Sequence, residues 1–143
     1  MFVTPLTFSF LELGDGHYWQ NADLIVDIPL KLVGDENNPS NVTIEMSGSL
    51  TWRACGGLVE GVSFRRPKLS SDNLLDRPMV LLEKRAKLNI MNSALNNEGS
   101  VGNVATLHGP GTKGNWSSVL IQHGAVGMSL ETGAIIELSQ VCF

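Results

Sequence analysis

Two distant stretches of the sequence match each other. Residues 86–95 align with residues 134–143, and apolar residues fall at corresponding positions. The coinciding pairs are Ala86 with Ala134, Leu88 with Ile136, Ile90 with Leu138, and Leu95 with Phe143. A weaker copy lies halfway, because Trp116 precedes Leu138 by the same interval as Ile121 precedes Phe143. An internal repeat of about 22–24 residues falls in the range of solenoid proteins and therefore constrains the fold strongly.

Short alternating segments separated by turn residues indicate that the repeat is built from β-strands. The segments Thr7–Leu13, Ile28–Val33 and Val42–Met46 alternate apolar with polar residues, or place apolar residues two positions apart. Gly14–Gly16 and Gly34–Pro39 separate them with glycine, aspartate, asparagine and proline. Strands at roughly ten-residue spacing with such turns are typical of all-β proteins.

Stacking explains how so short a repeat can be stable. One coil cannot bury its inward face alone, whereas stacked coils bury it against each other. The sequence therefore predicts a single β-helix domain over residues 1–143, with about five to six coils. Asn92 and Gln140 coincide in the repeat and are expected at a bend, where a stacked amide can satisfy backbone groups. Because Phe143 ends the chain inside a repeat unit, we expect a fragment, or a partner that covers this end.

A helical interpretation competes for one segment. Leu81–Leu88 can be written as an amphipathic helix, with Pro78 near its start after Asp76. Asn89, Asn92 and Ser93 disfavour a helix here, and so does the match of this region to a glycine-flanked segment.

Several segments together resemble a known family. Phe10–Tyr18, Leu24–Asp35 and Val42–Met46 form a glycine-x-tyrosine, apolar strand, leucine-x-glycine-aspartate run before a further strand, and Gly57–Phe64 and Gly133–Ile136 look like later coils. This pattern resembles the right-handed parallel β-helix of the pectin lyase-like superfamily. Within it, the chain is most similar to the non-catalytic coils of the carbohydrate-binding and sugar-hydrolysis type in F-box and SHC-binding proteins. The resemblance implies the fold more than the function, because this fold hosts lyases, hydrolases, esterases and binding modules.

No catalytic set can be assembled from the sequence. Glu83 and Glu131 recur at the offset of the matched segments and are expected to stack two coils apart, most simply as solvated outward positions. The superfamily's hydrolases carry paired aspartates and a glycine-histidine-glycine motif, but here His108-Gly109 is followed by Pro110. The three histidines show no metal-ligand spacing. We therefore predict no catalytic residue, no metal site and no cofactor.

The candidate binding residues are basic and aromatic. Phe64–Lys68 contains a dense basic run, so Arg65, Arg66 and Lys68 are expected to contact an acidic partner. Trp19 and Trp52 are added as aromatic anchors. Trp116 aligns with Leu138 and is expected to be core.

Composition restricts the partners. Ten basic and 14 acidic residues give a formal net charge of −4, with no basic stripe, so nucleic acid is not expected as a partner. The sequence contains no apolar stretch of about 18 residues and no export signal, so we expect no membrane span and a cytoplasmic or nuclear location. In such a compartment, Cys55 and Cys142 are expected to be reduced and buried.

These observations favour a non-catalytic β-helix scaffold for protein–protein interaction. The alternative is a carbohydrate-active lyase or hydrolase, or a glycan-binding module, acting on acidic polysaccharide. That alternative is based on the analogy of fold and on the basic run.

Overall fold

Parallel β-strands form nearly all of the regular structure. The computed structural model describes residues 9–67, 77–98, 102–124 and 126–143. The strands are β1 (Ser9–Glu12), β2 (Gly16–Gln20), β3 (Leu24–Val26), β4 (Leu30–Val33), β5 (Val42–Met46), β6 (Leu50–Trp52), β7 (Gly57–Glu60), β8 (Ser63–Arg65), β9 (Val80–Leu82), β10 (Lys87–Asn97), β11 (Ala105–His108), β12 (Lys113–His123), β13 (Met128–Glu131) and β14 (Ile135–Ser139). A 3-10 helix spans Pro39–Asn41. Within the described ranges, no helix is both long and apolar enough to cross a membrane.

The strands stack into three sheet faces that run along the molecule. The first sheet contains β1, β4, β7, the first halves of β10 and β12, and β14. The second contains β2, β5, β8 and the second halves of β10 and β12. The third contains β3, β6, β9, β11 and β13. All these pairings are parallel, and the chain visits the three faces in order, so the predicted all-β parallel solenoid is confirmed.

The stacking accounts for the repeat seen in the sequence. Lys87 is the Cα partner of Lys113, and Lys113 is the Cα partner of Ile135. Lys87 and Ile135 stand at the same offset as the two matched segments, so that offset spans two turns of the solenoid. The matched pair Leu88 and Ile136 belongs to one such ladder, in which Gly114 is the middle member.

Inward-facing side chains of successive turns form the core. One ladder of the first sheet contains Leu32, Val59, Ile90, Trp116 and the half-exposed Leu138. Trp116 is fully buried, as predicted. Each apolar side chain therefore packs against its equivalents in neighbouring turns, as stacking requires.

A ladder of left-handed residues forms the bend between the first and second sheets. Asn92, Ser118 and Gln140 have φ values of 47°, 53° and 54°, and Gly61 in the preceding turn has a φ of 72°. The Ser118 hydroxyl lies within hydrogen-bond distance of Gln140 Oε1, at 3.0 Å. The prediction that Asn92 and Gln140 lie at a bend is confirmed.

The helical interpretation of Leu81–Leu88 is wrong. Strand β9 ends at Leu82, a turn follows, and β10 begins at Lys87. Lys84 and Arg85 adopt φ values of 58° and 61°, which no right-handed helix allows. The reason is tertiary: Leu82 and Leu88 are both fully buried, but on different sheets.

Candidate binding face

The structure brings together two of the predicted binding residues, Trp19 and Arg65. Both point outward from the second sheet, where Trp19 is the Cα partner of Glu45 and Glu45 is the Cα partner of Arg65. Since neighbouring strands lie about 4.8 Å apart, the two Cα atoms are separated by about 10 Å. We use the name Trp19 face for this outward surface, whose members are His17, Trp19, Glu45, Arg65, Asn96 and Glu98.

Strand alternation explains why these side chains are on the outside. Ile44, Phe64 and Leu95 occupy the intervening positions of three stacked strands and are buried in the core. Because successive side chains of a strand point to opposite faces, the residues on either side of them point away from the core. The pattern of apolar residues thus fixes which residues form the Trp19 face.

A network of charges holds this face in place. The Arg65 guanidinium donates to Glu45 Oε1 at 2.8 Å and to Glu98 Oε2 at 3.0 Å. His17 Nε2 also lies 2.8 Å from Glu45 Oε1. Hydrogen bonding and attraction, first from Glu98 and then from Glu45, raise the pKa of Arg65, while Arg65 lowers the pKa of Glu98. Arg65 is therefore a fixed cation whose charge is already compensated.

Trp19 projects from this network into solvent. Its side chain is about half exposed, at 52%, and its indole N–H donates to Asn21 Oδ1. The neighbouring Tyr18 hydroxyl donates to the Gly14 carbonyl at 2.7 Å, which ties the turn before β2 to the strand. Trp19 thus offers an apolar ring surface with its polar atom already bonded.

Trp52 is not a surface residue, so its assignment as a binding residue is wrong. It is fully buried between turns, and its indole N–H donates to the Gly56 carbonyl at 3.3 Å. A Cβ at Gly57 would lie 2.2 Å from Trp52 Cζ2, so the ring occupies the space that the glycine leaves empty. Trp52 is a core residue of its turn.

Arg66 is also internal, and its assignment as a contact is wrong for the same reason. Its side chain is 1% exposed and donates to the carbonyls of Gly48, Arg77 and Pro78 at 2.9–3.1 Å. A further bond at 3.0 Å reaches Ser49 Oγ. Burial, followed by repulsion from Arg77, lowers the pKa of Arg66 to about 10. Lys68, the third basic residue of the run, lies outside the described residues.

The candidate carboxylates Glu83 and Glu131 stack two turns apart, as predicted. The register of β9, β11 and β13 places His108 between them, and His108 Nδ1 lies 3.4 Å from Glu131 Oε2. Glu83 accepts a bond from Arg53 Nε at 2.7 Å. Both carboxylates are therefore paired on the outside of the solenoid.

A second carboxylate pair, Glu36 and Glu60, is not indicated by any sequence pattern. A hydrogen bond with Glu36, then burial and repulsion, raises the pKa of Glu60. The Gly34 N–H donates to the Glu60 carbonyl at 2.8 Å, which places the turn containing Glu36 beside β7. The pairing depends on this register, so no local signal could have found it.

The two thiols are exposed, contrary to expectation. Cys55 and Cys142 are both free and lie at the surface of the solenoid. Cys55 follows the buried Ala54, whereas Cys142 lies beside the exposed Phe143. In the part of the chain that the structure describes, no group of three histidine, cysteine or acidic side chains is placed to hold a metal ion.

Comparison with known proteins identifies no relative of this chain. No protein-family model matches the chain, and neither the curated proteins nor the solved structures give a match. The chain is therefore identified by its own architecture: it is a parallel β-solenoid whose second sheet carries an exposed tryptophan above a fixed network of charges.

Proposed function

We propose that this chain is a non-catalytic β-solenoid that binds a partner protein through the Trp19 face. The observation that carries the proposal is that the exposed Trp19 and the fixed Arg65 share one flat sheet face, two strands apart. Tryptophan and arginine are enriched among the residues that dominate the energy of protein–protein interfaces.

The rigidity of this face favours binding. Arg65 is held by two carboxylates, and its strand is paired on both sides with β5 and β10. A side chain already fixed loses little conformational entropy when a partner arrives. Binding energy is then available for burying the Trp19 ring.

The state of the carboxylates supports a non-catalytic function. Glu83 is bonded to Arg53, and Glu131 lies beside His108. Glu36 raises the pKa of Glu60, so these two carboxyl groups interact with each other. Hydrolysis of a glycosidic bond needs two carboxyl groups separated by the reacting atoms.

The alternative, an enzyme or module for acidic polysaccharide, has lost its main support. It depends on the basic run Phe64–Lys68, but Arg66 is buried and Arg65 is neutralised by Glu45 and Glu98. An acidic sugar would have to displace these carboxylates. We therefore favour a protein partner.

We also propose that the chain belongs to the pectin lyase-like superfamily. Within it, the chain is most similar to the coils of F-box and SHC-binding proteins. The passage of each turn through three parallel sheet faces supports it, together with the sequence pattern of the first coils. A cytoplasmic or nuclear location is also proposed, and cell fractionation with an antibody to the native protein tests it.

The experiment compares tagged wild-type chain with Trp19→Ala as baits in native lysate. Asn89→Ala, an exposed position on the outward side of the first sheet, is the matched control. We expect one protein to co-purify in stoichiometric amount with the wild type and the control. Its recovery with Trp19→Ala should fall by about tenfold or more, because truncating a central aromatic anchor costs about 2 kcal/mol or more.

Equal recovery with Trp19→Ala would remove the Trp19 face from the interface. Stoichiometric retention on polygalacturonate, without any protein partner, would instead favour the polysaccharide alternative.

A further inference from the structure

Unpaired positive charges are concentrated at one corner of the solenoid. Lys84, Arg85 and Lys87 are all exposed, and within the described residues none of them forms an ion pair. The arginines elsewhere on the surface are compensated: Arg53 pairs with Glu83, Arg65 with Glu45 and Glu98, and Arg77 with Asp23. Among the residues that the structure describes, Lys84, Arg85 and Lys87 therefore form a local group of uncompensated positive charge.

Arg85 and Lys87 border a surface depression of about 450 Å³. It lies where successive turns pass from the third sheet to the first, and its lining residues are Cys55, Arg85, Lys87, Pro110 and Gly111. A Cβ at Gly111 would lie 3.1 Å from Arg85 Cγ, so the stem of Arg85 rests on this glycine. Arg85 thus lines the depression beside Gly111.

The corner carries an electrostatic cost that an anion would relieve. Lys87 and Lys113 are Cα partners on adjacent strands, and like charges directly opposite each other destabilise a sheet. Lys113 has Glu137 at 3.4 Å, whereas Lys87 has no such partner among the described residues. Lys84 and Arg85 are also both held at left-handed φ values, which costs energy for residues with a side chain.

We propose that this corner, the basic corner, is a docking site for a short acidic segment of a partner protein. Carboxylates of the segment would meet Arg85 and Lys87 across the depression. The segment is short because carboxylates lie next to the corner: Glu83 directly precedes Lys84, and Glu137 pairs with Lys113, the Cα partner of Lys87. The whole chain also has a net charge of −4. At physiological salt, charges attract or repel each other mainly within about 8 Å. A long polyanion would extend beyond the corner and be repelled by these carboxylates.

The basic corner is separate from the Trp19 face, which lies on the second sheet. Its test uses purified chain and a synthetic peptide and needs no lysate partner. If Trp19→Ala has no effect on partner recovery, the proposal for the basic corner is unaffected. If hexaglutamate does not bind, the proposal for the Trp19 face is likewise unaffected.

The first measurement is fluorescence anisotropy of dye-labelled hexaglutamate, with hexaglutamine as the uncharged probe. The variant Arg85→Gln/Lys87→Gln is compared with Lys31→Glu, which lowers the net charge by the same amount at the first sheet. We expect hexaglutamate to bind the wild type and Lys31→Glu equally. Affinity should fall about tenfold or more in the double variant, because two charge-assisted contacts are lost.

The second measurement uses the two exposed thiols. Cys55 lies on the rim of the depression, whereas Cys142 lies near the C-terminus, remote from it. Saturating hexaglutamate should slow the alkylation of Cys55 by N-ethylmaleimide and leave that of Cys142 unchanged, as followed by mass spectrometry of the two peptides.

Three results would overturn the proposal. One is the absence of binding to wild-type chain at millimolar hexaglutamate. Another is equal loss of affinity in Lys31→Glu, which would indicate an effect of net charge alone. The third is that the wild type binds a long single-stranded DNA more tightly than hexaglutamate and that the double variant loses this binding. Such a result would assign the corner to a polyanion.

Discussion

Arg66 connects two segments of the chain through one buried guanidinium. It bonds to Gly48 and Ser49 after β5 and to Arg77 and Pro78 before β9. The acceptors are mostly backbone carbonyls. The Pro78 carbonyl also accepts from the Ser49 hydroxyl at 2.6 Å, whereas among the described residues the carbonyls of Gly48 and Arg77 show no donor besides Arg66. A buried acceptor left without a donor costs about 1–3 kcal/mol.

Replacement of Arg66 by Met should therefore destabilise the protein by about 3 kcal/mol or more, since the carbonyls of Gly48 and Arg77 lose their donors together. Urea denaturation gives the free energy of unfolding. Arg85→Met is the control, and its effect should stay within about 0.5 kcal/mol because Arg85 is exposed and unpaired among the described residues. A loss below about 1 kcal/mol for Arg66→Met would contradict the structural role.

Glu60 should weaken the fold at neutral pH. Its pKa is raised in the folded state, first by the hydrogen bond with Glu36, so it favours binding a proton. The destabilisation by Glu60 is absent when the pH is below its pKa in the unfolded state. It is complete when the pH is above its pKa in the folded state. Glu60→Gln is therefore expected to raise the thermal midpoint at pH 7 but not at pH 3. The gain should be below about 1 kcal/mol, as for like charges on adjacent strands.

Asp23 provides the opposite sign and serves as the control. Hydrogen bonds from the Ser49 N–H and then from Arg77 lower the pKa of Asp23 in the folded state. Its contribution to stability is therefore present when the pH is above its pKa in the unfolded state, and it is lost as the pH falls through its pKa in the folded state. Asp23→Asn should lower the midpoint at pH 7. If both variants shift the midpoint in the same direction at pH 7, the assignment of these shifts is wrong.

Single residues are the least predictable part of this sequence. Trp19 and Trp52 both stand in or beside short strands, and the local pattern favours a surface anchor at each. The turn after Trp52 brings Gly57 onto its ring, whereas Trp19 points outward in the first turn of the described solenoid. The difference depends on neighbours in space, which no local pattern reports.

Strand packing is tight where a small residue faces a large ring. At Gly57, the first residue of β7, a Cβ would lie 2.2 Å from Trp52 Cζ2. Trp52 is fully buried, so its ring cannot move into solvent without losing its core contacts. The glycine thus allows β7 to approach the preceding turn.

Gly57→Ala should destabilise the protein by about 1–3 kcal/mol, the usual cost of overpacking a core. Gly14→Ala is the control, since no atom lies within 4 Å of the Cβ added there. Differential scanning calorimetry of both variants tests the difference. Equal midpoints for the two variants would mean that Trp52 does not fill this space.

The register between strands β10 and β12 can be tested by a designed disulfide. In a Cys55→Ser/Cys142→Ser background, cysteines at Asn89 and Asn115 should form a bond, since these residues are Cα partners. Their separation of about 4.8 Å falls within disulfide geometry. Cysteines at Asn89 and Ser117 should not, because the offset raises the distance to about 8 Å. A bond in the second pair and none in the first would contradict the register.

At the scale of elements, the sequence predicts most of what the structure contains. The expected strand Val42–Met46 is β5, and the match between the two distant segments corresponds to two stacked turns. Periodic apolar residues carry this information because their ladders form the core. The apolar spacing of Leu81–Leu88 is compatible with a helix as well as with strands. Only the stacking of neighbouring turns favours the strands.

The solenoid as a whole determines which side chains share a surface. Trp19 and Arg65 are distant in sequence but only two strands apart in the second sheet. Lys87 and Lys113 come together in the same way on the first sheet. Turn lengths vary between coils, so the sequence repeat alone does not place such pairs, and the ion pairs that neutralise Arg65 could not be anticipated.

Photo-crosslinking in native cells tests the assignment of the Trp19 face most directly. Benzoylphenylalanine is placed at Thr43 or Ser63, outward positions of the second sheet, and at Asn89 or Asn115, outward positions of the first. We expect one protein to be crosslinked from Thr43 and Ser63 and not from Asn89 or Asn115. Crosslinks of equal yield from both sheets, or from the first sheet alone, would contradict binding through the Trp19 face.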